Sequence, residues 1–314
     1  MGIFLSQREP ICPPALLEKA SGRGRAITAI VGAGHPLALE SARQAFDNGL
    51  IEPVFVGERR AIEESAAASG WDISSFRLKE AVGEESVAAA GAALAASGEV
   101  QMVMKGLIHS DTFMRPLLDK HTGIRATARL SHVFHMSLPG EQKSLLLTDC
   151  ALNVAPTVMT RVAIVENAAT LARRLGTDRP RVALLAASES VSDAMPITGE
   201  CKEIVDYFKQ RSENRPPMEI DGPLAFDNVV SEESARLKGI SSAVAGHADI
   251  IVVPTIETGN ALFKMMVYFM GACAAGLVLG GKVPILLTSR ADPAAARLAS
   301  AALGVISGEP RYAT

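Results

Sequence analysis

Short apolar runs alternate along the chain with longer stretches in which apolar residues recur every three to four positions. The runs Ala26–Val31, Glu52–Gly57, Val100–Gly106, Leu130–Met136, Leu145–Thr148, Arg181–Ala186, Asp249–Val253 and Val283–Leu287 have the length and content of buried strands. Helical spacing predicts helices over Leu37–Asn48, Arg60–Ser69, Glu84–Ser97, Val158–Leu175, Lys202–Arg211 and Ser231–Lys238, and in the alanine-rich stretch from Pro293. A further helix follows His109-Ser110-Asp111 and carries Arg115. Strand followed by helix, repeated, predicts a parallel sheet wrapped on both faces. Residues ahead of Ala26 read as irregular, and Glu219–Asp227 as a structured loop. The uncharged 17-residue run Met265–Gly281 predicts a buried helix, since a membrane span needs about 20 residues and glycines interrupt this one. Near Pro139-Gly140-Glu141 the chain is expected to cross into a second lobe.

Length and composition narrow the class. A chain of 314 residues with 48% hydrophobic and 21% charged residues folds as a globular protein of two lobes or domains. Aromatic residues are only 4%, so aliphatic side chains must fill the core. A net charge of -3 with signs interspersed leaves no basic face for nucleic acid, and an anionic ligand must be met by local arginines. The cysteines at 12, 150, 201 and 273 lack CxxC spacing and read as reduced thiols. No secretory leader pattern is present, so a cytoplasmic location away from membranes is expected.

Candidate chemistry gathers where strands end. In Val283–Pro293 a buried strand hands over to a helix, with Asp292 expected as N-cap and Pro293 as the first helical residue. Ser289 and Arg290 then sit beside a helix N-terminus, where backbone N–H groups and the guanidinium favour an anion, although the spacing equally suits a solvated turn. Lys105, Arg115 and Arg125 beyond another strand form either a cationic pocket for a polyanion or ordinary surface charges. Gly32-Ala33-Gly34 lacks the third glycine of a dinucleotide fingerprint, because Leu37 stands in its place. His132 and His135, three apart, fall on opposite faces of a strand, which disfavours a shared metal and suggests structural roles. The strand Asp249–Val253 runs into the polar segment Glu257-Thr258-Gly259-Asn260 with Lys264 beyond, expected as a loop.

Taken together, these segments resemble the phosphate acetyltransferase and phosphate butyryltransferase family. The likeness rests on Lys105-Gly106, His109-Ser110, Arg115-Pro116, Leu130-Ser131-His132-Val133, Thr148-Asp149 with Asn153 and Pro156, Asp221-Gly222-Pro223-Leu224 with Phe226-Asp227, Glu257-Thr258-Gly259-Asn260 with Lys264, and Ser289-Arg290. It covers about residues 25 to 305, and its wording looks closer to the butyryl-type branch.

The resemblance implies an acyltransferase that moves a short acyl group, acetyl to butyryl, between coenzyme A and inorganic phosphate, with no tightly bound cofactor and no metal. It implies a two-lobed α/β/α fold like isocitrate and isopropylmalate dehydrogenases, with the active site in the interlobe cleft and a homodimer formed largely by the second lobe. Residues 1–139 and 285–314 would make the first lobe and 140–284 the second. By resemblance Arg290 grips phosphate, and Ser289 donates to the sulfur or the developing oxyanion. Lys105, Arg115, Arg125, Thr258, Gly259, Asn260 and Lys264 bind substrate. The acetyl branch carries an aspartate seven residues after the serine, where this chain has Ala296, so Asp292 is the nearest candidate base. Two other readings stay open: an NAD(P)-dependent oxidoreductase on the same fold, and a non-catalytic acyl-CoA-binding regulatory module.

Overall fold

The computed structural model describes residues 5–119, 121, 123–124, 129–211, 213, 215–287 and 292–308. They form two compact units, one of Pro10–Ala128 with Cys273–Thr314 and one of Met1–Glu9 with Arg129–Ala272. The handovers near 129 and 273 compare with the expected 140 and 285.

The first unit opens with helix α1 (Pro14–Ser21), where the sequence suggested irregular chain; Pro14 is tolerated at the helix start because it lacks only an orphan N–H. Then follow β1 (Ala26–Val31), α2 (Pro36–Asp47), β2 (Ile51–Gly57), α3 (Arg59–Ala68), β3 (Arg77–Glu80), α4 (Glu84–Ala96), β4 (Met102–Lys105) and α5 (Ser110–Leu118). The chain enters the second unit through β5 (Ser131–Ser137), β6 (Ser144–Thr148), α6 (Val158–Arg174), β7 (Arg181–Leu185) and α7 (Pro196–Lys209). That unit closes with β8 (Glu219–Leu224), α8 (Phe226–Val230), α9 (Glu232–Leu237), β9 (Ile250–Val252) and α10 (Ile256–Met270). Back in the first unit come β10 (Cys273–Leu279), β11 (Ile285–Leu286) and α11 (Ala294–Ser307).

Strands of the first unit lie in the order β3-β2-β1-β4-β11-β10, parallel except for β10. Those of the second unit lie in the order β5-β6-β9-β7-β8, with β5 antiparallel to β6. In each unit the strands thus present a carboxyl edge at which most of them hand over to helices, the edge where open α/β sheets bind ligands. Close packing needs small residues at the helix–sheet contacts. A Cβ on Gly91 of α4 would lie 2.4 Å from Val31 of β1, and one on Gly304 of α11 would lie 2.3 Å from Met102 of β4.

Four expectations are corrected here. Residues 219–224 pair with β7 as an edge strand rather than forming a loop, and Gly222 and Pro223 are tolerated at that edge. The run Met265–Gly281 is not one buried helix, because Gly271 adopts φ 68° and stops α10, and the apolar residues beyond it form β10. Residues 256–260 are the first turn of α10 rather than a loop, with Thr255 as N-cap. Finally, α11 takes Pro293 as its N-cap and has no side-chain cap, so Asp292 lies one position outside the role expected of it. Proline can stand there because its carbonyl, which accepts from Ala296 N–H, is all the position requires.

Candidate active site

In the first unit, β4 delivers Lys105 to the carboxyl edge, where it is only 7% exposed. β11 runs parallel beside it, with Ile285 opposite Val103 and Leu286 opposite Met104, so that strand ends almost level with Lys105. Ser289, Arg290 and Arg125 lie outside the described residues. On the far side of the turn, the carbonyl of Asp292 accepts a hydrogen bond from the buried Arg297 guanidinium. Arg297 was not singled out by the sequence, although a lone arginine in an alanine-rich helix is the available signal. Arg115 stands on α5 with a side chain 71% exposed and 3.6 Å from Glu85.

In the second unit a buried carboxylate organises the edge. Asp149 follows β6 across a cis peptide and accepts four hydrogen bonds, from the backbone N–H groups of His132 (3.0 Å), Ala151 (3.0 Å) and Leu152 (2.9 Å) and from the Asn153 amide (2.7 Å). Asn153 also donates to the carbonyl of Leu130 at 2.9 Å, and Thr148 Oγ1 to that of His132 at 2.8 Å. The Thr148-Asp149 and Asn153 motif is therefore the clasp between β5 and the end of β6. A buried charge of this kind is tolerated because its lone pairs are filled.

Upon this clasp sits the start of α10. Gly259 is buried against it, and a Cβ there would lie 2.8 Å from Cys150 Sγ and 3.1 Å from the Asp149 carbonyl. Only glycine lets the helix approach so closely. Thr255 Oγ1 accepts from Thr258 N–H at 3.4 Å, while the half-buried Thr258 and Asn260 occupy the first turn and Lys264 is exposed one turn on. Arg161, buried on α6, donates to the carbonyl of Pro254 at 2.8 Å and pairs with Glu200, fixing the entry to the same turn. Its sequence signal is an arginine on the apolar stripe with Val158, Val162 and Val165. The result is a rigid helix N-terminus bearing a hydroxyl and an amide, suited to an anion or a carbonyl oxygen.

The cysteine thiols are poor nucleophiles. Burial, with Asp149 adding to it, pushes the Cys150 thiol well up, and burial raises Cys12 and Cys201 to about 11 and Cys273 to about 12. Buried His132 and His135 on β5 are pushed down to about 4 by desolvation, so both stay neutral near pH 7. No group of three metal-ligating side chains occurs among the described residues. The histidines carry a prediction. His135 protonates near 6.5 once unfolded but near 4 in the fold, so its contribution is complete above pH 6.5 and is lost as pH falls toward 4. The gap corresponds to roughly 3 kcal/mol. Denaturation midpoints measured from pH 7 to pH 4 should fall steadily, and His135→Leu should flatten that slope; an unchanged slope would remove His135 as its source.

The comparisons bear on the whole of this arrangement. The family model described as phosphate acetyl/butaryl transferase matches residues 79–305. The chain belongs to that family. It is 38% identical to a phosphate acetyltransferase of Rhizobium meliloti over 95% of this chain and 94% of that protein. It is 34% identical to a phosphate butyryltransferase of Clostridium beijerinckii over 85% and 88%. Among solved structures it is similar to a branched-chain phosphotransacylase from Enterococcus faecalis V583, with TM-score 0.76 and 32% identity over 90% of this chain and 98% of that one. A 4-hydroxythreonine-4-phosphate dehydrogenase from Burkholderia phymatum shares the fold alone, with TM-score 0.55 and 13% identity over 91% and 99%.

Proposed function

We propose that this family member catalyses reversible transfer of a short acyl group between coenzyme A and inorganic phosphate, using both as substrates with no tightly bound cofactor. The observation that carries the reading is the match along nearly the whole chain with relatives named phosphate acetyltransferase and phosphate butyryltransferase, together with the presence of Ser289-Arg290 and Thr258-Gly259-Asn260 in this sequence. The thiolate of CoA attacks the carbonyl of the acyl phosphate, forming the C–S bond while the C–O bond to phosphate breaks and phosphate leaves with the electron pair. Arg290 holds the departing phosphate, and Ser289 donates to the sulfur or to the carbonyl oxygen as charge grows there. Lys105, Arg115, Arg125, Thr258, Gly259, Asn260 and Lys264 place the substrates. Since Pro293 caps α11, Asp292 is read as the acceptor of the thiol proton, a task eased by neighbouring cations that lower a thiol pKa.

The two-unit chain and its likeness to a dehydrogenase fold support a two-lobed organisation of the isocitrate and isopropylmalate dehydrogenase kind. A cytoplasmic homodimer joined through the second unit is part of the proposal. It is supported by Met265, Tyr268, Phe269 and Met270 on α10, large apolar side chains that are 41% to 52% exposed.

The test is release of CoA thiol from acetyl-, propionyl- and butyryl-CoA on adding phosphate. Phosphate-dependent release is expected with at least one of them. CoA binding without turnover would instead indicate a regulatory module, and nicotinamide reduction an oxidoreductase.

A further inference from the structure

The first unit holds a cavity of about 290 Å³ whose lining includes none of the residues assigned to acyl transfer. It lies at the carboxyl ends of β1, β2 and β4, where doubly wound sheets take ligands. Its volume is at the low end of the roughly 300–1,000 Å³ of small-molecule sites, which suits one nucleoside rather than a dinucleotide.

The lining chemistry selects among ligands. The starts of α2, α3 and α4 border the cavity, and helix N-termini alone would favour an anion, each as about half a positive charge. Yet no lysine or arginine lines it, whereas Glu58 and Glu84 do, and two full negative charges outweigh the dipoles. A phosphate is therefore disfavoured and a donor of hydroxyl hydrogens favoured. Glu84 already accepts from His109 Nδ1 at 2.8 Å. Glu58 is the N-cap residue of α3, and its carbonyl accepts from Ile62 N–H at 3.1 Å, but its exposed carboxylate makes no cap hydrogen bond and no ion pair among the described residues. It directly follows β2, 24 positions after Gly34, the place from which a carboxylate takes a ribose hydroxyl in sheets of this kind.

The pyrophosphate half of such a site is missing. Leu37 replaces the third glycine, and Gly34 is packed so closely that a Cβ on it would lie 3.0 Å from Ala61 Cβ. His35 Nδ1 accepts from Leu37 N–H at 3.2 Å, which leaves Nε2 as the ring nitrogen that carries a proton and can donate to a base nitrogen. Ala81, Val87 and Leu107 supply apolar wall for the faces of the base.

We propose that this cavity binds a nucleoside with a free 2′,3′-diol, Glu58 accepting from the ribose hydroxyls, at a site separate from that of CoA. The 3′-phosphate of CoA would meet the Glu58 carboxylate and be repelled, so CoA itself does not belong there. The inference does not depend on the acyl-transfer reading.

Calorimetric titration of the full chain with adenosine, 2′-deoxyadenosine and adenosine 3′-monophosphate provides the test. Adenosine should bind saturably, and the other two at least about tenfold more weakly, because the carboxylate then loses a partner or faces a charge. Glu58→Gln should weaken adenosine about tenfold with melting temperature and CoA binding unchanged, and Ala81→Leu should abolish it by filling the wall. The proposal is overturned by absence of adenosine binding at millimolar concentration, by indifference to either variant, or by competition from CoA showing that adenosine occupies the CoA site. Failure of phosphate-dependent thiol release with adenosine binding intact would count against the acyl-transfer reading alone.

Discussion

Arg290→Ala is expected to lower turnover of acyl-CoA and phosphate at least about a hundredfold. In the proposed reaction no covalent enzyme intermediate is called for, and every cysteine thiol is held protonated well above neutral pH. Catalysis then falls to placement and charge stabilisation, where loss of one preorganised partner costs about 10²–10³ in kcat. A guanidinium that grips phosphate also contributes to ground-state binding, so KM for phosphate should rise as well. Initial rates over a phosphate series, followed by a thiol reagent, separate the two effects. Turnover near that of the parent protein would remove Arg290 from the mechanism.

Asp149→Ala should produce the largest loss of stability of any single change to the second unit's site, about 3 kcal/mol or more. The carboxylate receives three backbone N–H groups and one amide, all within 3.0 Å, and the substitution removes all four bonds, leaving the buried His132 N–H without its partner and the Asn153 amide with only the Leu130 carbonyl. Hydrogen bonds to a charged group contribute about 1.5–3 kcal/mol, and unmet buried donors add about 1–3 kcal/mol. Because Gly259 seats α10 on this clasp, activity should fall along with stability. Urea unfolding followed by far-ultraviolet circular dichroism measures the first effect. A midpoint matching the parent's would mean that water or rearranged backbone replaces the carboxylate.

How far the sequence foretold this depends on which force shaped each element. The buried parallel strands were legible because apolar runs such as AITAIV at 26–31 and RVALL at 181–185 have one physical use. β3 was missed because its residues, Arg-Leu-Lys-Glu, are exposed at a sheet edge, where backbone pairing operates without an apolar pattern. β8 was missed for a related reason, since Glu219–Leu224 contains the glycine and proline that ordinarily argue against a strand. α10 and β10 merged into one because a continuous apolar run has no period, and only the left-handed Gly271 divides them. At the site, the motif residues 148–149, 153 and 258–260 were legible as words but not as a clasp with a helix seated on it. Arg297 escaped notice because its partner is a backbone carbonyl, which a sequence does not display, and Arg161 because its partners, the carbonyl of Pro254 and the carboxylate of Glu200, lie far from it along the chain.

The discontinuous first unit has a consequence for the order of assembly during synthesis. The body of the second unit is continuous from 129 to 272, so it can complete its pairing as soon as those residues emerge, apart from the short N-terminal segment that joins it. The first unit must wait, because β11, the strand that flanks β4, is made after everything in between. Until then the apolar edge Met102-Val103-Met104 stands open on the nascent chain, as it would after any truncation ahead of Ile285. Such an edge is a template for unwanted pairing between chains.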